Sequence, residues 1–183
     1  MAMKIDSDTE LIQSASLTGA VTTAFWWRRP AAAMSGQLFA FASFALEAAS
    51  TGIKLAGTGD DTDVEPASGD WVYLALIQNG GGFSVYAWED IVSETMHTIT
   101  SAYNPGTMSQ VLLGDVAGIY GVGYTDAEHL HLRVWNTALT TAQLNTERQS
   151  ATPVITSGLI LDVPLASEPR YGWRARMMTA WLF

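Results

Sequence analysis

The chain has 183 residues, which is long enough for one domain with a buried core. Because 48% of the residues are apolar and 15% are charged, its composition argues against disorder. Eighteen acidic and nine basic residues give a net charge of −9, which disfavours a nucleic-acid partner. The absence of cysteine excludes disulfides, thiolate chemistry and cysteine-based metal sites.

The first residues, MAMKIDSDTELIQ, contain no basic region followed by an apolar stretch, so we expect no signal peptide. Residues 11–27 and 30–46 carry no charge, but each stretch has only 17 residues, fewer than the about 18–20 that span a bilayer. Both include Ser, Thr, Gln or Gly, and we interpret them as buried strands. No membrane span is predicted.

Short apolar runs separated by turn residues follow one another along most of the chain. The predicted strands are residues 21–27, 37–46, 52–55, 71–78, 83–88, 96–101, 110–113, 128–135 and 159–165. Glycine-containing turns divide them, including an Asn79-Gly80 hairpin signal between two alternating runs. This spacing is typical of an all-β sandwich or barrel.

A strand followed by a capped helix is predicted near the end of the chain. Three aliphatic residues alternate there with three others: Leu130, Leu132 and Val134 with His131, Arg133 and Trp135. This period of two predicts a strand with one face on a core. Thr140 and Gln143 have the spacing of a capping box, and Leu139 and Leu144 that of a hydrophobic staple, which predicts a helix over about residues 141–149.

These segments, in this order, resemble the laminin-G-like, or concanavalin A-like, jelly rolls. HLHLRVWNTALTTAQL is similar to their C-terminal signature, GDWVYLALIQNGGGFSVYAWED to their central hairpin, TTAFWWRRP to an early strand and GLILDVPLAS to the closing strand. The resemblance implies an all-β, two-sheet antiparallel jelly-roll sandwich with one short helix near the C-terminus. It covers residues 17–166 and leaves an N-terminal arm, 1–16, and a C-terminal arm, 167–183.

The resemblance also implies a protein that binds rather than catalyses, because the glucanase pattern of closely spaced acids on one strand is missing. Glu89, Asp90 and Glu94 form the densest acidic cluster, and two carboxylates facing one sugar would be needed for hydrolysis. Adjacent residues on a strand point to opposite faces, so we interpret this cluster as a solvated hairpin end and predict no catalytic residue.

Two sets of residues have donor atoms suited to metals. The acidic loop with Asp60, Asp61 and Asp63 offers oxygen ligands for Ca²⁺, which relatives sometimes bind at loop rims, but it lacks EF-hand spacing and is otherwise a solvated loop. His129 and His131 have a spacing that can ligate a transition metal, and the alternative is a pair of exposed strand histidines. No metal site and no cofactor are predicted.

Aromatic residues near strand ends are candidates for glycan contact, because aromatic faces pack on the C–H-rich side of sugar rings. The predicted ligand-binding residues are Trp88, Glu89, Asp90 and Trp135. Trp26, Trp27 and Trp71 are expected to fill the core or its margin.

The C-terminal arm is rich in arginine, aromatic residues and methionine, which are enriched in protein interfaces. The predicted assembly residues are Arg170, Tyr171, Trp173, Arg174, Arg176, Trp181 and Phe183. They are expected to dock on another subunit or to pack on their own domain.

Three functional hypotheses follow. The first is a non-catalytic binding and assembly module that serves as a structural or decoration subunit of a phage-like particle. It would be located on a virion or extracellular surface. Its partners would be protein subunits, either copies of itself or other particle proteins, and surface glycans. The second is a soluble lectin-like carbohydrate-binding domain. The third, a glycan hydrolase, has no convincing acid pair in the sequence.

Overall fold

The computed structural model describes residues 3–5, 10–17, 19–28, 36–41, 44–49, 52–55, 70–79, 82–89, 96–101, 108–114 and 127–164. In chain order, the elements in these ranges are β1 (Met3–Ile5), β2 (Glu10–Leu17), β3 (Val21–Arg28), β4 (Gly36–Phe41), β5 (Phe44–Ala49), β6 (Gly52–Leu55), β7 (Trp71–Gln78), β8 (Phe83–Trp88), β9 (His97–Ser101), β10 (Met108–Gly114), β11 (Ala127–Trp135), α1 (Thr141–Arg148) and β12 (Leu159–Val163).

The strands form two antiparallel sheets. The seven-stranded sheet has the order β1-β11-β3-β7-β8-β9, with β12 also paired to β11, and the five-stranded sheet has the order β2-β10-β4-β5-β6. The predicted all-β, two-sheet antiparallel jelly-roll sandwich with a short helix near the C-terminus is confirmed.

Two parts of the chain differ from the sequence-based description. The single strand predicted for residues 37–46 is a pair of antiparallel strands, β4 and β5, with Phe41 opposite Phe44. The sequence between them lacks the Gly, Asn or Asp that marks a tight turn, so no break was predicted. Strands β1 and β2 place parts of the predicted N-terminal arm, 1–16, in the two sheets, because β1 pairs with β11 and β2 with β10.

The seven-stranded sheet is covered on both faces near its centre. The sequences of β3 and β7, VTTAFWWR and WVYLALIQ, are apolar at successive positions, and such strands are stable when both faces are buried. On the inner face, Phe25, Leu74 and Val85 are fully buried. On the outer face, Trp26 and Tyr73 belong to a core cluster that α1 completes.

A β-bulge interrupts the alternation predicted for β11. Leu130 pairs with Trp26 and Arg133 with Ala24, so two residues of β11 lie opposite the single residue Phe25. His131, inside the bulge, has a φ of 51°. The predicted common face of Leu130, Leu132 and Val134 is therefore wrong, because Leu130 joins Trp135 in the outer-face cluster.

The capping box and the staple of α1 are confirmed. The Thr140 hydroxyl accepts from the Gln143 backbone N–H at 3.3 Å, and the Gln143 side chain accepts from the Thr140 N–H at 2.8 Å. Leu139 and Leu144 are both buried in the outer-face cluster. Thr22 of β3 joins this helix start to the sheet, since its hydroxyl accepts from the Leu139 N–H at 2.9 Å. Within the described ranges, no helix has the length and apolar character needed to cross a membrane.

A glycine turn starts β12. Gly158 has a φ of 76°, and a Cβ atom built there would lie 2.8 Å from Oδ1 of Asn136. Its carbonyl accepts a hydrogen bond from the Asn136 N–H at 2.8 Å. Only glycine combines this backbone angle with so close an approach, and the turn holds β12 against β11.

Candidate functional site

The two tryptophans predicted to contact glycan are buried. Trp88 is 2% exposed, and its ring lies 5.8 Å from that of Tyr73 and 5.6 Å from the Arg148 guanidinium, measured between centres. Trp135 is fully buried and its indole N–H donates to the Ile155 carbonyl at 2.7 Å. The predicted stacking role of both residues is therefore corrected to a core role, because α1 and the segment after it cover this part of the outer face.

The other predicted contact residues are only partly described. Glu89 is exposed directly after β8, while Asp90 lies outside the described residues. The acidic-loop residues Asp60, Asp61 and Asp63 also lie outside them, as do all the predicted assembly residues of 167–183. Within the described ranges, no group of three or more His, Asp or Glu side chains is placed to hold a metal ion.

A buried ion pair lies between β11 and α1. Arg133 Nη1 is 2.6 Å from Glu147 Oε2, and both side chains are almost completely buried. The other Glu147 oxygen accepts from the backbone N–H groups of Val154 and Ile155. Arg133 also donates to the Ser150 carbonyl at 3.1 Å. These contacts engage both carboxylate oxygens, so the pair attaches the helix and the following segment to the sheet.

The buried hydroxyl of Tyr73 lies in the same region, and burial raises the pKa of Tyr73 far above its ordinary value of 10. Its oxygen has no hydrogen-bond partner among the described residues. Tyr73 therefore remains a neutral phenol and acts in packing, between Trp26 at 5.2 Å and Trp88 at 5.8 Å by ring centroids.

His129 and His131 of β11 are both buried. The alternative to a metal site, a pair of exposed strand histidines, is therefore wrong. Burial lowers the pKa of His129 to about 3. Burial and then the nearby Arg133 charge lower the pKa of His131 to about 4, against an opposing effect of Asp162. Both imidazoles are therefore neutral near pH 7.

An aromatic ring and three hydroxyl side chains lie on the open part of the outer face. Tyr86 and Ser84 alternate with inward residues along β8, and the register pairs Tyr86 with Thr98 and Ser84 with Thr100. Directly paired residues share one face of a sheet, so the four side chains form a compact group, which we name the β8–β9 patch. Tyr86 and Ser84 are partly exposed, and Thr98 and Thr100 are exposed.

The β8–β9 patch is uncharged but polar. The Ser84 and Thr100 hydroxyls are 3.4 Å apart, close enough for one to donate to the other. The Tyr86 ring lies next to that of Trp88, with centroids 6.4 Å apart and an angle of 27° between the planes. A buried, rigid aromatic neighbour therefore supports the partly exposed ring.

A second partly exposed aromatic group lies at one end of the same face. The Arg28 guanidinium is 4.8 Å from the centroid of the Trp71 ring, and Arg28 Nε donates to Glu128 Oε2 at 2.6 Å. We name these three residues the Trp71 cluster. Its ion pair is 34% and 26% exposed, so the pair contributes little to stability.

The β8–β9 patch was not predicted from the sequence, because the aromatic residues predicted to contact glycan were all tryptophans. The alternation in FSVYAW and HTITS was available as a signal, since it assigns Ser84 and Tyr86 to one face and Thr98 and Thr100 to one face. The alternation does not predict that the two strands pair, and it does not predict which side of the sheet the helix covers.

Comparisons with solved structures show the same fold at low sequence identity. A Bacteroides ovatus protein provisionally named as carbohydrate binding matches with a TM-score of 0.69 and 15% identity, over 93% of this chain and 53% of its own. This chain therefore spans about half the length of that protein. A heptameric pentraxin from Limulus polyphemus matches with a TM-score of 0.56 and 18% identity, over 88% of each chain.

The enzymatically active domain of tailspike protein 2 of bacteriophage CBA120 matches with a TM-score of 0.60 and 15% identity, over 92% of this chain and 30% of its own. No protein-family model and no curated protein matches the chain. The three likenesses concern the fold alone, a two-sheet β-sandwich of the jelly-roll type.

Proposed function

We propose that this chain is a non-catalytic β-sandwich module that binds glycan through the β8–β9 patch and is displayed on a virion or another extracellular surface. The observation that carries the proposal is the partly exposed Tyr86 ring with three hydroxyl side chains grouped beside it on one sheet face. The fold likeness to a protein provisionally named as carbohydrate binding supports it.

The chemistry of the patch suits a sugar. A sugar ring has a C–H-rich side that packs on an aromatic face, and hydroxyl groups that exchange hydrogen bonds with Ser and Thr. The buried Trp88 ring beside Tyr86 holds the platform in place, which reduces the entropy lost on binding.

The charge of the protein favours a neutral glycan. The patch itself contains no charged residue, and the whole chain carries −9. Sialylated or sulfated glycans would be repelled at low ionic strength, whereas uncharged oligosaccharides would not. We therefore expect neutral glycans to be the ligands.

The test is a glycan array that contains both neutral and acidic oligosaccharides, followed by titration of the best neutral ligand. Tyr86→Ala is expected to weaken binding about tenfold, because the stacking platform is lost. Tyr86→Phe keeps the ring and is expected to bind more tightly than Tyr86→Ala.

Trp71→Ala is the matched control, because it removes an aromatic side chain of the same face outside the patch. Loss of binding in Trp71→Ala with normal binding in Tyr86→Ala would assign the site to the Trp71 cluster instead. An array with no bound glycan would contradict the proposed function.

The absence of catalysis is a separate part of the proposal. Incubation of the protein with the bound oligosaccharide is expected to release no reducing ends. Release that disappears in Glu89→Gln would identify a hydrolase and overturn this part. The tailspike likeness, to a domain described as enzymatically active, makes this assay necessary.

A second candidate role is that of a structural or decoration subunit of a phage-like particle. The observation that favours it is an uneven distribution of charge. Three arginines and one glutamate give residues 167–183 a charge of +2. Because the whole chain has a net charge of −9, residues 1–166 have a net charge of −11. A basic, aromatic segment on an acidic protein has the chemistry of a docking arm.

A further inference from the structure

The two flanks of α1 face different strands of the seven-stranded sheet. On one flank, Glu147 contacts Arg133 of β11. On the other, the Arg148 guanidinium lies 5.6 Å from the centroid of the Trp88 ring of β8. Strands β3 and β7 separate β11 from β8, and β9 follows β8. The Arg148 flank of the helix therefore faces the open part of the outer face.

The helix also lies beside the β8–β9 patch along the direction of the strands. Its start is hydrogen-bonded to Thr22 of β3 through the N–H of the residue before the cap. Thr22 pairs with Ile77, and Ile77 pairs with Ser84, so the start of the helix is level with one end of the patch. The last turn lies on Trp88, two residues beyond Tyr86. The helix therefore runs beside the patch from Ser84 to Trp88.

Two exposed polar residues belong to the flank that faces the patch. At 3.6 residues per turn, Asn145 lies about 60° beyond Arg148 around the helix axis, on the side away from Glu147. Thr141 lies on the same side, one turn before Asn145. Both residues are exposed. The flank forms a wall beside the floor made by the β8–β9 patch, and we name the space between them the α1–β9 groove.

Arg148 fixes the orientation of the Asn145 amide. Arg148 Nε donates to Asn145 Oδ1 at 2.7 Å. A guanidinium can only donate, so the atom that faces it is the amide oxygen, and the Nδ2 group faces away from Arg148. Arg148 is itself buried against Trp88, whose ring lies beside that of Tyr86. One connected set of contacts therefore holds both the donor and the aromatic floor.

The wall and the floor make different contributions to the recognition of a sugar. The Tyr86 ring and the hydroxyl groups of the floor suit the C–H-rich side and the hydroxyl groups of many neutral sugars. A fixed donor beside the ring favours sugars that place an oxygen opposite it. A sugar without that oxygen leaves the donor without an acceptor, so the wall supplies discrimination.

We propose that Asn145 is a specificity-determining residue of the glycan site. Its Nδ2 group donates a hydrogen bond, from the wall of the α1–β9 groove, to one oxygen of the neutral sugar that packs on Tyr86. This inference rests on the proposed glycan binding and adds to it a selection among neutral sugars. Thr141, one turn earlier on the same wall, limits the width of the groove.

The first experiment titrates the best neutral glycan from the array against Asn145→Asp, which keeps an oxygen for Arg148 and removes the donor. Its affinity is expected to fall about tenfold. Asn136→Asp is the matched control, because it makes the same exchange at an exposed residue that follows β11, on the other side of the helix. This control is expected to bind as the native chain does.

Monodeoxy analogues of the same glycan identify the oxygen that Asn145 contacts. One analogue is expected to bind the native chain about tenfold more weakly than the parent glycan, and Asn145→Asp less than about twofold more weakly, because the two changes remove the same interaction. Equal losses in the native chain and in Asn145→Asp for every analogue would overturn the inference. Unchanged affinity of Asn145→Asp for the parent glycan would also overturn it.

A second pair of variants tests the wall without changing the amide. Thr141→Arg places a long side chain in the groove and is expected to weaken binding, whereas Ala142→Arg, at the next exposed position on the solvent side of the helix, is expected to bind normally. Normal binding in Thr141→Arg would contradict the assignment of this flank to the site. This pair replaces Asn145→Asp if urea denaturation shows that the aspartate variant is unfolded.

The two proposals fail in distinguishable ways. Weakened binding in Tyr86→Ala with normal binding in both Asn145→Asp and Thr141→Arg would overturn the role of the wall and leave the proposed glycan binding in place. An array without any bound glycan would contradict the proposed function itself, and the inference with it.

Discussion

Two regions of the outer face differ although they are adjacent on the same strands. In the covered region, Trp88 and Tyr73 are buried under α1 and near the Arg133–Glu147 ion pair. In the open region, two residues away along β8, Tyr86 is partly exposed beside hydroxyl side chains. The helix therefore divides one sheet face into a region that stabilises the fold and a region that is accessible to a ligand.

The largest effect is expected from Glu147→Ala in the covered region. It leaves the Arg133 guanidinium buried without its carboxylate and two backbone N–H groups without their acceptor. We expect a loss of about 3–5 kcal/mol in the free energy of unfolding, measured by urea denaturation. The control is Glu128→Ala, which breaks a partly exposed ion pair with Arg28 and is expected to cost about 1 kcal/mol or less. Equal losses in the two variants would contradict the structural role of the buried pair.

Acid is expected to destabilise the sheet that both regions share through the two buried histidines of β11, of which His129 lies against Phe25 on the inner face. In the unfolded chain each histidine titrates near its ordinary pKa of 6.5, while in the folded protein the pKa values are about 3 and about 4. Below pH 6.5 the unfolded state therefore binds more protons, and stability falls by about 1.4 kcal/mol per pH unit for each histidine until the pH reaches the folded values.

The measurement for this prediction is the urea midpoint between pH 7 and pH 5, above the range in which most carboxylates titrate. The matched variant is His129→Gln with His131→Asn, since asparagine tolerates the positive φ at position 131. Its stability is expected to change much less over this pH range. An unchanged slope in this variant would show that other groups cause the loss.

A smaller effect is expected at the start of the helix that separates the two regions. Thr140→Ala removes the hydroxyl that accepts from the Gln143 N–H and is expected to cost about 1 kcal/mol of unfolding free energy. Thr140→Ser keeps an acceptor and is expected to lose only a small part of this. A loss in the serine variant as large as in the alanine variant would assign the effect to packing of the methyl group.

The smallest effect on stability is expected in the open region. Ser84→Ala removes one partly exposed hydroxyl, and its unfolding free energy is expected to stay within about 0.5 kcal/mol of the native value. Its affinity for the best neutral glycan is expected to fall severalfold, measured by titration. Unchanged affinity would remove Ser84 from the proposed site without affecting Tyr86.

Much of the local structure was predictable because it depends on neighbours in the chain. Apolar runs bounded by turn residues predicted β7 and β8 with their observed bounds, and the Thr140–Gln143 spacing predicted the helix start. These features involve contacts between residues a few positions apart, which sequence spacing reports directly.

The site was not predictable in the same way. Tyr86 and Trp88 are two residues apart on β8, so the alternation of the strand assigns both to the same face. Only the position of α1, which begins more than fifty residues later, buries Trp88 and leaves Tyr86 partly exposed. The bulge at His131 is also invisible in the sequence, because it depends on the register between β11 and β3.

By itself, the sequence determined the all-β class, most strand positions, the capped helix and the acidic charge, since each is a property of composition or of short-range period. Only the tertiary structure decided which aromatic residues are buried, which hydroxyls are grouped on one face and which flank of α1 lies beside them. The physical reason is that exposure depends on contacts between segments far apart in the chain, whereas periodicity within a strand assigns side chains to a face without indicating what covers it.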